Sequence, residues 1–271
     1  MMRMKPRLGF MSLVLAATLL AVPASAEMWR PGPSDTLQWI LQGKVDTAAA
    51  ASVYDIDGFD NKAATVKSLH HAGKHVICYI DVGTWENWRS DAGEFPDSVL
   101  GNDNGWPGER YLDIRQLSVL KPIMKARFEM CRDKGFDAIE PDNMDSYQAK
   151  TGFPLNWADE RAYVDWLIGE AHKLHLSIGQ KNLPEKAGAL EAEMDWALLE
   201  ECFFHKFCAK FEPYVTDGKA VFDTEYLNHT SATIFETTDC PAAASTYHYA
   251  MELKKLSLFR WRTDCSGQVT Q

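Results

Sequence analysis

The sequence has 271 residues and a formal net charge of −10 at pH 7. This length allows one large domain or two small ones. The first 26 residues contribute three positive charges and no negative one, so the rest of the chain carries −13. Such an acidic chain does not suit nucleic acid or an anionic membrane surface, and it does suit a cationic ligand or plain solubility.

The N-terminus has the features of a secretory signal. Three basic residues precede an apolar run over residues 8–22, and small residues follow at 24–26. This order predicts a cleaved signal peptide over residues 1–26, a mature chain that starts at Glu27, and a secreted or periplasmic location. The run is short for an uncleaved span, so we expect no stable membrane anchor.

Apolar runs typical of strands then alternate with amphipathic stretches typical of helices. Helices are predicted over residues 62–71, 118–134 and 157–174. The predicted strands cover residues 37–41, 52–56, 75–81, a fourth strand that starts at 136, then 176–180, 195–200, 220–225 and 256–261. Eight strands separated by helices predict an α/β fold, a single (β/α)8 TIM barrel over residues 27–271. An open doubly wound sheet is the alternative, but no Gly-rich phosphate loop follows the early strands.

The connection over residues 82–116 is longer than a barrel loop needs to be. It contains Trp85, Trp88 and Trp106 together with several glycines, prolines and acids. Long loops inside compact domains are usually functional, and in a barrel this one lies on the active face. Its tryptophans either stack on sugar rings or form a small satellite core.

Six cysteines in an exported chain favour disulfide bonds. Cys202 and Cys208 are close enough in sequence to close a small loop, and Cys240 and Cys265 suit a bridge that fixes the C-terminal segment. The spacing does not settle either pairing. Cys78 lies in an apolar run and is expected to be a buried thiol.

The fourth strand leads into a burst of acidic residues at 140–145. Glu140 and Asp142 are two residues apart, so they share one face of the strand, and Pro141 is expected to mark the end of regular pairing. The predicted strand ends carry further acids, which are Asp55, Asp57, Asp81, Asp145, Glu200, Glu201 and Glu225. Two carboxylates that face each other across a cleft are the groups that glycoside hydrolysis needs.

Other chemistry is weakly supported. His71 and His75 are separated by a helix-ending glycine, and residues 55–60 lack the spacing of a calcium loop. No G-x-S-x-G nucleophile motif occurs. We therefore expect no metal and no cofactor.

Together these residues resemble glycoside hydrolase family 114, whose members are known as endo-α-1,4-polygalactosaminidases. The resemblance covers nearly the whole mature chain in the same order. Its motifs are residues 140–145 (EPDNMD), 200–203 (EECF), 78–83 (CYIDVG) with Glu86 and Arg89, 39–43 (WILQG) and 219–226 (KAVFDTEY).

The resemblance implies an endo-acting barrel hydrolase that cleaves α-1,4-linked galactosamine-containing polysaccharide. The galactosamine units of this polymer are cations when they are deacetylated. It implies catalytic roles for Asp142 and Glu200, with Glu201 as the alternative to Glu200. Asp142 is assigned as nucleophile and Glu200 as general acid/base of a retaining enzyme; swapped roles and an inverting mechanism are the alternatives. The residues expected to bind substrate are Trp39, Tyr79, Asp81, Glu86, Arg89, Glu140, Asp145, Gln180, Asn182, Glu225 and Tyr226.

Two other functions compete with this one. The first is a glycosidase with the same mechanism that acts on another polysaccharide, and the second is a barrel that binds carbohydrate without cleaving it. The presence of both implied catalytic acids argues against the second. The polysaccharide is the expected partner, nucleic acid is not, and the chain is expected to be a monomer.

Overall fold

A curled and mostly parallel β-sheet forms the centre of the protein. The computed structural model describes residues 1–2 and 27–271, so most of the predicted signal segment lies outside the described residues. In chain order, the strands are β1 (Leu37–Ile40), β2 (Val53–Asp57), β3 (His75–Asp81), β4 (Thr84–Glu86), β5 (Leu100–Asp103), β6 (Glu109–Leu112), β7 (Ala138–Asp142), β8 (Ser177–Lys181), β9 (Trp196–Glu200), β10 (Val221–Tyr226), β11 (Ala250–Lys254), β12 (Arg262–Asp264) and β13 (Val269–Thr270).

Helices cover the outside of this sheet. They are α1 (Ala63–His71), α2 (Leu117–Lys134), α3 (Trp157–Lys173), α4 (Ala187–Leu190), α5 (Glu212–Thr216), α6 (Ala232–Ile234) and α7 (Cys240–Ala242), with π-helical turns at Phe235–Asp239 and Ala243–Tyr247. The helix α3 begins with a capping box, in which Asn156 and Asp159 satisfy each other's backbone N–H groups. Within the described part of the chain, no helix is long and apolar enough to cross a membrane.

The sheet has the order β1-β2-β3-β7-β8-β9-β10-β11-β12-β13. Its first eight strands are parallel, and β12 and β13 add to it in antiparallel fashion. The curl brings β1 back to β11, where the Trp39 N–H donates to Glu252 Oε1 at 3.1 Å. The predicted α/β barrel class is confirmed.

The parallel strands bury both of their faces, as expected for this class. Alternate residues point into the barrel, where Trp39, Ile77, Trp196 and Phe222 belong to one apolar cluster. The intervening residues point outward and pack under the helices in a second, larger cluster. Because side chains alternate strictly, a shift of one position decides whether a polar residue at a strand end faces the barrel interior or the helices.

The predicted eighth strand is wrong. Residues 256–261 form a loop, and the eighth parallel strand is β11. This strand lacks a continuous apolar pattern, because its inward-facing residues include the charged Glu252 and Lys254, which are both buried. Glu252 accepts the Trp39 N–H, and Lys254 Nζ donates to the Phe259 carbonyl at 2.9 Å.

Pro141 ends pairing on only one side of its strand. The β7–β8 pairing stops at Ile139, whereas β7 still pairs with β3 through Pro141 and Asp142. Because proline lacks an N–H, it is accommodated where a neighbouring strand has already diverged. The expected end of pairing at Pro141 therefore holds toward β8 and not toward β3.

The long connection after β3 has a structure of its own. Strands β4, β5 and β6 form a small antiparallel sheet in the order β4-β6-β5. Phe95, Val99 and Leu112 are buried beside it and join the outer apolar cluster. This connection is thus a folded insertion with its own sheet and apolar packing, and not an irregular loop.

All six cysteines form disulfide bonds. The pairs Cys202–Cys208 and Cys240–Cys265 are those that the spacing suggested. The third bond joins Cys78 on the outward face of β3 to Cys131 in α2, so the expectation of a buried free thiol at Cys78 is wrong. This bond ties a covering helix to the sheet across a sequence separation of 53 residues.

Gly83 is required by a close backbone approach just after β3. A Cβ atom on Gly83 would lie 1.8 Å from the Asn143 carbonyl oxygen, which follows β7. We expect Gly83→Ala to lower the free energy of unfolding by roughly 1–3 kcal/mol, since backbone cannot yield as a side chain can. Chemical denaturation monitored by circular dichroism measures this change.

Gly169 provides the control, because it lies inside α3 and a Cβ there meets nothing within 4 Å. Gly169→Ala should stabilise the protein by about 0.5–1 kcal/mol through helix propensity. Equal stability of the two variants would contradict the packing described around Gly83.

Candidate active site

An acidic cavity of about 460 Å³ opens at the C-terminal ends of the parallel strands. This is the end of a barrel at which catalytic groups are found. Seven carboxylate side chains line it against two cationic ones, Arg89 and Lys181. The cavity therefore favours a cationic ligand.

Lys181 is the hub of this cavity, and the sequence analysis missed it. Its Nζ lies 2.9 Å from Glu140 Oε1, 2.9 Å from Asp142 Oδ1 and 3.2 Å from Glu200 Oε2. The ammonium also sits 4.6 Å from the centroid of the Trp39 ring. Burial opposes the charge of Lys181, but the surrounding carboxylates raise its pKa well above the usual value.

Asp142 is held as a carboxylate. Its Oδ2 accepts a hydrogen bond from the Tyr79 hydroxyl at 2.9 Å, and its Oδ1 accepts one from Lys181. Burial alone would raise the pKa of Asp142, but the Lys181 ammonium and the Tyr79 hydroxyl outweigh it and hold that pKa below its usual value. Asp142 is therefore ionised at neutral pH.

Glu200 lines the cavity and is surrounded by donors. Tyr226 donates its hydroxyl to Oε1 at 2.6 Å, and the Asn182 amide donates to Oε2 at 3.0 Å. Glu201 belongs to the opposite face of the chain and bonds to the ring of His229 at 2.6 Å. Only Glu200 of this acidic pair reaches the cavity.

Most of the predicted site residues meet in this cavity. Those that line it are Trp39, Tyr79, Glu86, Arg89, Asp142, Asp145, Asn182, Glu200 and Tyr226. Trp39 is almost fully buried, with its ring beneath the Lys181 ammonium, so it offers no open stacking face. The hydroxyls of Tyr79 and Tyr226 hold the two carboxylates in place.

Two predicted binding residues face the wrong side of their strands. Gln180 points outward from β8, where its amide bonds to backbone carbonyls and to the Tyr214 hydroxyl. Glu225 points outward from β10 and accepts the Phe203 N–H and the Thr230 hydroxyl. Neither lines the cavity, which corrects the expectation that they contact substrate.

Two further acids face inward but lie below the cavity surface. Asp81 accepts hydrogen bonds from the Gly83 and Thr84 N–H groups and from the Asn143 amide, so it fixes the ends of β3 and β7. Glu140 is fully buried and pairs with Lys181. Both support the cavity and do not line it, which is a second correction to the expected binding residues.

Lys181 could have been found by strand alternation. Residues 177, 179 and 181 share the inward face of β8, and 178 and 180 share the outward face. A lysine at the inward C-terminal position of a strand lies beside the carboxylates of its neighbours.

The negative charges of the cavity differ in how they are balanced. Arg89 binds Asp57 through two nitrogens and Glu86 through Nε, so its guanidinium is fully engaged. Asp145 also lines the cavity and forms no ion pair with any of the described residues. Its burial, together with the charge of Asp142, raises its pKa to about 6.

Two tryptophans of the insertion form the outer rim. Trp88 and Trp106 line the cavity and are 52% and 56% exposed. Trp85 instead packs against the outer apolar cluster and donates its Nε1–H to the Ala92 carbonyl at 3.0 Å. Of the two expected roles, Trp85 takes the satellite core, and Trp88 and Trp106 leave ring faces open at the rim, where stacking on a sugar stays a prediction.

The histidines considered for zinc lie at the other end of the barrel. His75 begins β3, and its ring stacks on Trp29 at 4.2 Å. His71 is the exposed last residue of α1. In residues 1–2 and 27–271, no group of three or more His, Cys, Asp or Glu side chains is arranged to hold a metal ion.

The sequence and the fold both resemble those of known glycoside hydrolases. The model of glycoside-hydrolase family GH114 matches residues 18–270. The crystal structure of Ega3 from Aspergillus fumigatus in complex with galactosamine is similar at 34% identity and a TM-score of 0.81, over 90% of this chain and 100% of that one. The glycoside hydrolase domain of PelA from Pseudomonas aeruginosa shares the fold at 13% identity and a TM-score of 0.65, over 84% of this chain and 98% of that one. A search of curated proteins found no match.

Proposed function

The chain belongs to glycoside-hydrolase family GH114 and is an endo-acting glycoside hydrolase, and we propose that it cleaves α-1,4-linked polysaccharide that contains free galactosamine. The observation that carries the substrate class is the acidic cavity, in which Asp145 is left without a cationic partner among the described residues. The galactosamine bound to Ega3 supports the same class. A neutral polysaccharide gives no reason for this excess of carboxylates.

In this proposal, Asp142 is the nucleophile and Glu200 the general acid/base. An ionised carboxylate is needed for attack on the anomeric carbon, and the contacts of Asp142 with Lys181 and Tyr79 favour that form. Glu200 gives its proton to the leaving oxygen. The Tyr226 hydroxyl and the Asn182 amide then stabilise the charge that develops on Glu200.

The position of Lys181 supports a retaining mechanism. Asp142 Oδ1 and Glu200 Oε2 lie 2.9 and 3.2 Å from the same nitrogen, so their separation cannot exceed the sum of these distances. Inverting enzymes separate their carboxyl groups by about 6.5–9.5 Å to admit a water molecule, and retaining enzymes by about 5–5.5 Å. The bridged pair suits the shorter separation.

Substrate binding is assigned to the cavity walls. Asp145 is proposed to pair with the ammonium of a galactosamine unit, because it lines the cavity and forms no ion pair with any described residue. The exposed rings of Trp88 and Trp106 offer flat apolar faces on which sugar rings stack. Glu86 and Arg89 also line the cavity, and the hydrogen bond between them stabilises its wall.

We infer that the enzyme is exported and that residues 27–271 form its catalytic domain. Three disulfide bonds suit an oxidising compartment, which supports this inference. The protein recovered after export is expected to begin at Glu27, as read by N-terminal sequencing. Recovery of an intact residue 1 on the exported protein would contradict signal cleavage.

The catalytic assignment is tested by release of reducing ends from partially deacetylated α-1,4-galactosaminogalactan. We expect turnover by the parent and a loss of roughly 10³-fold or more in Asp142→Asn and Glu200→Gln, because each variant lacks one of the two reacting carboxyls. The fully N-acetylated polymer is expected to be a poor substrate, because it has no ammonium.

Glu201→Gln is the matched control, since Glu201 is bonded to His229 and lies outside the cavity. It should retain most of the parent activity. Loss of turnover in Glu201→Gln with normal turnover in Glu200→Gln would reverse the assignment. Equal cleavage of acetylated and deacetylated polymer would reject the cationic substrate.

The role of Asp145 is tested by the pH dependence of KM for the deacetylated polymer. Because the pKa of Asp145 is raised to about 6, it is neutral below that pH and charged above it. KM of the parent should therefore rise as the pH falls through about 6. Asp145→Asn should have a high KM that does not vary over this range, whereas Asp133→Asn, an exposed change on α2, should follow the parent. A parent KM that is independent of pH would contradict the assignment.

A further inference from the structure

Beneath the proposed catalytic pair lie two buried carboxyl groups that the proposed reaction does not use. Asp55 points inward from β2 and faces Glu140, which points inward from β7, and both are fully buried. Among the described residues, no donor reaches either oxygen of Asp55 or Oε2 of Glu140. Buried carboxylates without donors are strongly unfavourable, whereas one shared proton provides a hydrogen bond between the two groups. Burial and the charge of Glu140 accordingly raise the pKa of Asp55 well above its usual value.

The other oxygen of Glu140 is bound by Lys181, which links this pair to the catalytic carboxylates. The ammonium has three N–H bonds, and three carboxylate oxygens lie within 3.2 Å of Nζ, one each from Glu140, Asp142 and Glu200. The side chain of Lys181 is 3% exposed, so water screens these ion pairs little. If Asp55 and Glu140 were both ionised, they and Asp142 would place three negative charges around one ammonium before the reaction begins.

We propose that Lys181 is a positioning residue whose ammonium stays paired with the negative charge as that charge moves from Asp142 to Glu200, and that one proton shared by Asp55 and Glu140 leaves the ammonium available to this pair. The inference rests on the proposed glycosidase reaction. It adds to that reaction a buried group that acts through the two reacting carboxyls and does not touch the sugar.

The first step of the reaction moves one negative charge between the two carboxyls. An oxygen of Asp142 forms a bond to the anomeric carbon, while the bond from this carbon to the leaving oxygen breaks. The leaving oxygen takes the proton of Glu200, so Asp142 becomes a neutral ester and Glu200 a carboxylate. Both groups already contact Lys181 Nζ, so the ion pair persists without movement of the lysine. Water then cleaves the ester and reverses the charge transfer.

Other titratable groups face this cluster from the surrounding elements, and their charges also influence the pH profile of kcat. They are Tyr79 and Asp81 from β3, Glu86 from β4, Glu109 from β6, Asp145 after β7, Tyr226 from β10 and Glu252 from β11. None of these groups contacts Lys181 Nζ. Substitution of Lys181 therefore breaks its ion pairs with Glu140, Asp142 and Glu200 and leaves the direct contacts of the other groups in place.

The test is the pH dependence of kcat at saturating deacetylated polymer, where weak binding through Asp145 no longer matters. In Lys181→Met, the acid limb of the profile should move up by about 1–3 pH units, because Asp142 loses its cationic partner. The value of kcat should fall roughly 10²- to 10³-fold, with little change in KM. Lys181→Arg keeps the charge and should keep the acid limb near that of the parent.

Glu140→Gln should shift the acid limb of the kcat profile in the opposite direction, and it provides a second test in case Lys181→Met does not fold. It removes a negative charge beside Asp142 and keeps an oxygen that can accept from Lys181, so its acid limb should move down. A purely structural role for the cluster would lower kcat in both variants without opposite shifts. If Lys181→Met does not fold, the direction of the Glu140→Gln shift decides the question.

Lys254→Met is the matched control, because Lys254 is also a buried inward-facing lysine and its Nζ bonds to the Phe259 carbonyl rather than to the catalytic pair. Its acid limb should coincide with that of the parent. An unchanged acid limb in Lys181→Met, or an upward or absent shift in Glu140→Gln, would overturn the proposal. Absence of turnover in the parent would instead reject the proposed function itself.

Discussion

The active end of this barrel depends on one buried ammonium. Several carboxyl groups converge at the ends of β7 and β9, and carboxylates this close repel one another and lose hydration when buried. Lys181 offsets both costs, because its Nζ donates to Glu140 and Asp142 and lies 3.2 Å from Glu200. Its attraction outweighs burial at Asp142, which stays charged. In our proposal, the proton shared by Asp55 and Glu140 limits the number of negative charges that this single cation must balance.

The fold supplies this arrangement through strand alternation and strand ends. Parallel strands release their C-terminal residues at one rim, and every second side chain faces the interior. Asp142, Lys181 and Glu200 therefore meet although they come from three different strands. Gly83 lets the chain after β3 pass directly against the chain after β7. The insertion after β3 then raises a wall whose Arg89 neutralises two further acids and whose exposed tryptophans form the rim.

The barrel could be predicted because the alternation of strand-like and helix-like segments is visible in short stretches of sequence. Apolar runs with acids at their ends identified seven of the eight parallel strands and brought Asp142 and Glu200 to one rim. The eighth strand was missed because its inward positions are charged, and such burial depends on partners distant in sequence. Gln180 was misplaced because its outward orientation depends on where β8 begins, a boundary that composition does not give. Lys181 was missed for a related reason, since a lysine is expected at the surface and only tertiary contacts make it a buried partner of three acids.

The stereochemistry of cleavage tests most directly whether the lysine-bridged carboxylates act as nucleophile and acid/base. The anomeric configuration of the first product can be followed by proton NMR during hydrolysis of a deacetylated α-1,4-galactosamine oligosaccharide, before mutarotation mixes the anomers. Two successive displacements at the anomeric carbon should give the α-anomer first. Initial formation of the β-anomer would mean a single displacement by water, and it would contradict the account of Asp142 as a nucleophile bridged to Glu200 by Lys181.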